Sequence, residues 1–276
     1  MKRTSGSVAI VTGGGRGLGR AFALALARDE MRVAVAARTA SQLEETVRLI
    51  EADGGKAIAV PTDVVDERAV AGMIGTVEEQ LGEIDLLINC AGAGRPYGPT
   101  WEVDAGEWWR TVEVNLKGPF LCCAAVMRGM VARKRGRIVN VASGAGTVSI
   151  PHMSAYVTSK TALIRLTEVL ADEAREHGVS VFAVQPGTVR TALAEDVLDS
   201  ESARRWLPWF QTIFEKGRDV TAEPAVELVR LLASGAADGL SGRMFTVAAS
   251  AAETIRSADE VKAGDWNVLR LRYFKP

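Results

Sequence analysis

Val8-Ala9-Ile10-Val11-Thr12-Gly13-Gly14-Gly15-Arg16-Gly17-Leu18-Gly19 is the stretch that decides the fold. Four apolar residues and Thr12 read as a buried strand, and Leu18 to Arg28 reads as a helix, so the glycines mark a strand-to-helix turn. A helix N-terminus offers N–H groups without intrahelical partners and the positive end of the helix dipole, a setting that suits a pyrophosphate. Glycine lets the chain turn tightly and lets its backbone approach a ligand. No Gly-Lys-Ser/Thr is present, so this is not a P-loop, and the spacing Gly13-x3-Gly17-x-Gly19 departs from G-x-G-x-x-G.

The pattern continues outward from that turn. Strands are expected over Arg32 to Ala36, Lys56 to Val60, Asp85 to Asn89, Arg137 to Val141, Val179 to Val184 and Arg243 to Val247. Helices are expected over Ser41 to Ala52, with Ser41 as its cap, and over Glu67 to Gln80, Glu107 to Arg133 and Ser154 to His177. Near-continuous apolar strands alternating with helices imply an α/β fold, a Rossmann-type doubly wound parallel sheet in a single domain. The main body is expected over residues 1–250 with a C-terminal extension over 251–276. Two regions break the rhythm: 190–220, rich in aromatics and without β periodicity, and the extension itself.

Composition bounds the function. The chain has 276 residues, 47% hydrophobic and 24% charged, with a formal net charge of −1. That supports a sizeable core and gives no global field for nucleic acid or an anionic membrane. The basic run Arg133 to Arg137 reads as a solvated helix end and turn. No apolar run is long enough to span a bilayer, and the N-terminal segment lacks the form of a signal peptide. Cys90, Cys122 and Cys123 show no disulfide or zinc spacing, so no metal is expected and a cytoplasmic compartment fits.

At the end of the second strand, a dinucleotide site carries an acid for NAD, whereas an arginine there accommodates the 2′-phosphate of NADP. Here Ala36-Ala37-Arg38-Thr39 has no acid, and Arg16 in the glycine turn is a second candidate for the same phosphate. The expected cofactor is NADP. A further segment, Ser154-Ala155-Tyr156-Val157-Thr158-Ser159-Lys160, puts a phenol and an ammonium one helical turn apart on one face. An ammonium beside a phenol favours the phenolate and lowers its pKa from about 10.

Taken together, these features resemble the short-chain dehydrogenase/reductase family over about residues 5–250. The family's T-G-x3-G-x-G stands as Thr12 to Gly19, its N-N-A-G as Asn89-Cys90-Ala91-Gly92 with Cys90 a departure, and its Tyr-x3-Lys as Tyr156 and Lys160. The resemblance implies a catalytic set of Asn115, Ser143, Tyr156 and Lys160. Ser143 would stabilise charge on a carbonyl oxygen, Tyr156 would act as general acid or base, Lys160 would support it and bond the nicotinamide ribose, and Asn115 would hold a water for proton exchange. The implied cofactor contacts are Gly13, Gly15, Arg16, Gly17, Leu18 and Gly19, then Arg38, Thr39, Asp63 and Val64. They continue through Asn89, Ala91, Gly92, Tyr156 and Lys160 to Pro186, Gly187, Val189 and Thr191. The implied reaction is hydride transfer between NADP(H) and a carbonyl or secondary alcohol. The implied partners are a small-molecule substrate and further copies of the chain, as a homodimer or homotetramer.

Alternatives are a catalytically silent NADP-binding sensor on the same fold and a sugar-nucleotide epimerase or dehydratase of the related extended group. The intact Ser143, Tyr156 and Lys160 count against the first, and the short stretch after Pro186 counts against the second. His152, between Ser143 and Tyr156, is either a loop residue or a border of the substrate pocket. Trp108 and Trp109 read as core or subunit interface. The aromatics Trp206 to Phe214 read as an apolar lid over a ring-bearing substrate or as packing under a long loop. In the extension, Leu269, Leu271 and Tyr273 alternate with arginines as in a strand.

Overall fold

The computed structural model of the chain describes residues 4–270. Seven parallel strands form one sheet in the order β3-β2-β1-β4-β5-β6-β7. They are β1 (Val8–Thr12), β2 (Arg32–Ala37), β3 (Lys56–Pro61), β4 (Ile84–Asn89), β5 (Gly136–Val141), β6 (Val179–Gln185) and β7 (Met244–Thr246). Period-two alternation divides the core. Ala9 and Val11 face α1 (Gly17–Arg28), α2 (Ala40–Ala52) and α10 (Glu223–Ala233), whose Phe22, Leu43 and Leu228 fill that side. Val8 and Ile10 face α3 (Glu67–Gln80), α5 (Gly118–Arg133) and α6 (Ser154–Ala174), with Met73, Val126 and Ala171. Helices on both faces are what a doubly wound sheet requires.

The chain runs outward from β1 to β3 and then crosses back to β4 on the other side of β1. That reversal opens a crevice between the C-terminal ends of β1 and β4, where such sheets place ligands. The glycine turn and the segment following Asn89 form its two walls.

Some boundaries differ from the sequence reading. The second helix starts at Ala40, with Thr39 rather than Ser41 at its cap position and no side-chain cap bond. The segment expected as one helix over 107–133 starts at α4 (Ala105–Val112), because the Asp104 carboxylate accepts the Glu107 N–H at 2.8 Å. It then passes through a π-turn, Glu113–Lys117, before α5. Residues 190–220 contain three short helices, α7 (Ala192–Asp199), α8 (Glu201–Trp206) and α9 (Pro208–Glu215).

The basic run is spent on ion pairs at the N-terminal edge of the sheet. Arg135 meets Asp85 at 2.8 Å, Arg137 makes a two-pronged pair with Asp238, and Arg133 reaches the Ile84 carbonyl at 2.8 Å. The extension is packed against the body. Its helices α11 (Ala251–Arg256) and α12 (Ala258–Ala263) bring Ile255 and Val261 to the first core face. Asn267 then pairs with edge strand β7, accepting from Met244 N–H at 2.9 Å and donating to its carbonyl at 2.8 Å. Of the strand expected around Leu269 to Tyr273, Leu271 and Tyr273 lie outside the described residues. Leu269 packs on Ile164 and Ala183 without strand structure.

Candidate active site

The crevice is built from its backbone outward. Gly13 holds φ +67°, and a β-carbon there would stand 3.0 Å from the Ala91 Cα, so the two walls meet at a distance only glycine allows. A β-carbon at Gly19 would collide with the Gly13 carbonyl oxygen. The first turn of α1 is thereby folded onto the loop with its amides toward the crevice mouth. This cradle, opening a helix at the switch point, fits a dinucleotide pyrophosphate.

Thr12 ties the walls together. Its Oγ1 accepts from the N–H groups of Cys90 (3.0 Å) and Ala91 (3.2 Å). Behind the glycines, Thr46 of α2 donates to the Gly14 carbonyl at 3.0 Å and accepts from Arg20 Nε at 3.0 Å. Neither Thr46 nor Arg20 stood out in the sequence. The signal was there for Thr46, a hydroxyl on the apolar stripe of Leu43 and Ile50.

Around the crevice, Arg16 and Arg38 are exposed, and the Arg38 guanidinium lies near enough to Asp63 to help lower its carboxyl. Thr39 and Leu18 lie beside them on the two helix starts. Asp63 follows β3. Burial pushes its carboxyl up, but hydrogen bonds from Arg110 (2.9 Å) and from the Val65 N–H outweigh this and hold it below the ordinary carboxylate range. Val64 is buried against Gly118. Asn89 sends its amide inward, donating to Asn140 Oδ1 at 2.8 Å and to Cys123 Sγ, while Asn140 donates to Thr167 at 2.9 Å. Its side chain therefore braces β4 to β5 and the helices, and Ala91 and Gly92 line the crevice. Across from them, Pro186, Gly187 and Val189 follow β6, and Thr191 caps α7. A β-carbon at Gly17 would touch Thr191 at 3.4 Å, so the glycine turn closes against this segment.

The four expected catalytic residues converge at one end of the crevice. Ser143, two residues past β5, is in extended backbone and caps the short turn 144–146, with Oγ accepting from the Ala145 N–H at 3.2 Å. Its hydroxyl is near enough to the Tyr156 phenol to favour the phenolate. Tyr156 and Lys160 lie on α6, with Lys160 Nζ 5.7 Å from the Tyr156 ring centre. Asn115 sits in the π-turn, fully buried. Its Oδ1 accepts from Ala93 N–H at 2.9 Å, and its Nδ2 donates to the Ala93 carbonyl (2.9 Å) and to Ser159 Oγ (3.0 Å). Ser159 in turn donates to the Tyr156 carbonyl at 2.8 Å. The Asn115 side chain is thus a strut between the β4 loop and the catalytic helix. Ser159, absent from the sequence reading, is the link.

The electrostatics correct one expectation. Tyr156 was expected to be lowered by the Lys160 ammonium, but burial pushes the phenol above 10, and the opposing influence is the hydrogen bond with Ser143. Burial acts on the lysine as well. Its ammonium donates to the Val141 carbonyl at 2.8 Å and is pulled down to about 8. Cys90, on the crevice wall beside Lys160, is pushed up to about 12 by burial, so its thiol stays protonated at neutral pH.

The short helices α7, α8 and α9 meet this end. Tyr97, Met153, Val197, Ala203 and Leu207 form a buried cluster joined by Ile150, Tyr156, Val157 and Phe210. Trp206 packs on His152 with ring centres 4.7 Å apart, and Trp209 is 42% exposed. Arg95 grips Asp196 of α7 with both arms, at 2.8 and 2.9 Å. Trp108 donates to Ser154 at 3.0 Å at the start of the catalytic helix, whereas Trp109 faces solvent. A cavity of about 240 Å³ lies between the 95–99 loop and Trp206; its walls include none of the four catalytic residues.

The family model described as short chain dehydrogenase matches residues 7–202. The chain is 34% identical over 249 residues to the 3-oxoacyl-[acyl-carrier-protein] reductase of Synechocystis, covering 90% of this chain and 97% of that one. It is 33% identical to 2-(S)-hydroxypropyl-CoM dehydrogenase 3 of Xanthobacter autotrophicus, covering 89% and 96%. A crystal structure of a short-chain type dehydrogenase/reductase from Mycobacterium marinum superposes with a TM-score of 0.80 at 32% identity, covering 88% of this chain and 94% of that one.

Proposed function

The chain belongs to the short-chain dehydrogenase family, whose members are oxidoreductases of alcohols and carbonyls that use a nicotinamide dinucleotide, and on that premise we propose that it is an NADP-dependent carbonyl reductase or alcohol dehydrogenase with Tyr156 as its general acid or base. The observation that carries this reading is the convergence of Ser143, Tyr156 and Lys160 at the end of a glycine-walled crevice.

The glycine turn would hold the pyrophosphate, Arg16 and Arg38 the 2′-phosphate, Asp63 and Val64 the adenine end, and the segment from Pro186 to Thr191 the nicotinamide end. When bound, such a dinucleotide supplies or accepts the hydride. The chain's residues handle the oxygen and its proton. Ser143 donates a hydrogen bond to the substrate oxygen and stabilises the negative charge that develops there. Tyr156 gives its phenolic proton to that oxygen in reduction, and in oxidation the phenolate takes the proton from the alcohol. Lys160 places an ammonium near the phenol as it becomes anionic. Asn115, through Ala93 and Ser159, fixes the loop and helix on which these groups sit.

Arg38 in place of an acid supports NADP over NAD. The three free thiols suit a reducing, cytoplasmic compartment. Exposed Phe120 on α5 and Val169 on α6 suit assembly into a homo-oligomer.

The test is loss of near-ultraviolet NADPH absorbance against a panel of ketones and aldehydes, with NADH in parallel and Tyr156→Phe as control. Consumption with NADPH and none in the variant supports the proposal. Equal use of NADH removes the NADP assignment. NADPH binding without turnover favours a silent sensor.

A further inference from the structure

Tyr97 poses a problem that packing does not solve. The residue is 4% exposed, and among the described residues its hydroxyl has no hydrogen-bond partner. Buried tyrosine hydroxyls ordinarily find one, because desolvating the group without compensation is unfavourable. The ring packs among Met153, Val197, Ala203 and Leu207, surroundings a phenylalanine would fill equally well. The sequence carries the oxygen nonetheless.

Its position supplies a use. The same cluster includes Tyr156, so the Tyr97 ring belongs to the apolar wall that meets the catalytic helix. A β-carbon at Gly94 would lie 2.6 Å from Tyr97 Oη and 3.4 Å from Leu193 of α7. The hydroxyl therefore sits where the loop after β4 meets α7. That loop also presents the Ala93 backbone that anchors Asn115. Among the described residues no side chain bonds the oxygen, although the Arg95–Asp196 pair lies near enough to act on it, and α7 is the element over it.

We propose that the Tyr97 hydroxyl is a specificity contact that hydrogen-bonds a second oxygen of the substrate while Ser143 and Tyr156 hold the reacting one. This rests on the oxidoreductase reading above and narrows its substrate class to carbonyls or alcohols bearing another hydroxyl or carbonyl on an otherwise apolar, ring-like body. A site built around an unpaired hydroxyl rejects analogues that lack the matching oxygen, because those leave it unpaired in the complex.

The experiment compares kcat/KM for cyclohexanone with that for 1,2-, 1,3- and 1,4-cyclohexanedione, in the wild-type protein and in Tyr97→Phe, each with saturating cofactor. The wild type is expected to favour at least one dione over cyclohexanone, and Tyr97→Phe to shrink that ratio about three- to tenfold, the worth of one neutral hydrogen bond. An unchanged ratio overturns the proposal, as does the absence of any preference in the wild type. A second measurement does not need turnover. With cofactor present, the diones are expected to raise the melting temperature of Tyr156→Phe and to lose that effect in the Tyr97→Phe/Tyr156→Phe double variant. Equal stabilisation of both variants, or of neither, overturns the proposal. Dione-specific stabilisation in a protein that reduces none of the four rings would leave the Tyr97 contact standing and count against the reductase reading.

Discussion

The Lys160 ammonium donates to the main-chain carbonyl of Val141 at 2.8 Å, so the catalytic helix is hydrogen-bonded through its charged side chain to the end of β5. That placement costs stability, because burial disfavours the charged form and draws the group from 10.5 to about 8. With the folded value below the unfolded one, the unfolded chain binds more protons between about pH 8 and 10.5. The penalty is fully present below pH 8 and fades as the pH rises to 10.5. A displacement of this size corresponds to about 3 kcal/mol. Lys160→Met is expected to lose turnover yet gain stability relative to the wild type at pH 7, with the gain shrinking by pH 10. Denaturant melts of both proteins without nucleotide, at the two pH values, measure it. A stability difference independent of pH would refute it.

Thr12 Oγ1 is the acceptor for two N–H groups of the opposite crevice wall. Thr12→Val keeps the shape and removes the acceptor, leaving two part-buried donors unpaired at a cost of about 1–2 kcal/mol. The variant should melt earlier and bind dinucleotide weakly. Thr12→Ser should restore both. Failure of serine to rescue would mean that the methyl group, and not the oxygen, holds the walls.

Arg38 stands exposed at the end of β2 with no acid beside it in the sequence. A charge-assisted bond to a phosphate is worth about 1.5–3 kcal/mol. Arg38→Ser should weaken NADPH binding about 10- to 100-fold and leave NADH binding nearly unchanged, as read by fluorescence titration at fixed salt. An equal loss for both nucleotides would remove Arg38 from the 2′-phosphate site.

Much of this architecture was legible because buried parallel strands are apolar throughout. Val8–Thr12 and Glu67–Gln80 fall where the residues say they do. The π-turn at Glu113–Lys117 was not legible, since one residue of extra register changes no composition, and yet it carries Asn115. The short helices α7, α8 and α9 are 6 to 8 residues long, too short for a 3.6-residue period to show. Ser159 and Tyr97 escaped for another reason. Their roles depend on Asn115 and on α7, partners 44 residues or more away in the first case and supplied by tertiary packing in the second. The residues proposed as catalytic were visible as a spaced set, but the direction of the Tyr156 shift was not, because burial is a property of the fold.

The extension offers the last test. Glu168 of α6 is 7% exposed, and its carboxylate accepts the Leu269 N–H at 2.7 Å and an Arg270 N–H at 3.2 Å, with Arg165 as a third partner. One buried carboxylate thus receives the chain after α12, on the helix that also bears Tyr156 and Lys160. Removing the acceptor leaves the Leu269 N–H without its partner, while the two arginines turn to water at little cost. Glu168→Ala should therefore lose about 1–3 kcal/mol and be cut faster by trypsin after Arg270, whereas Glu168→Gln, which keeps an acceptor oxygen, should fall between it and the wild type. If instead the apolar contacts of Val261 and Leu269 hold the extension by themselves, all three proteins will melt together and be cut at one rate.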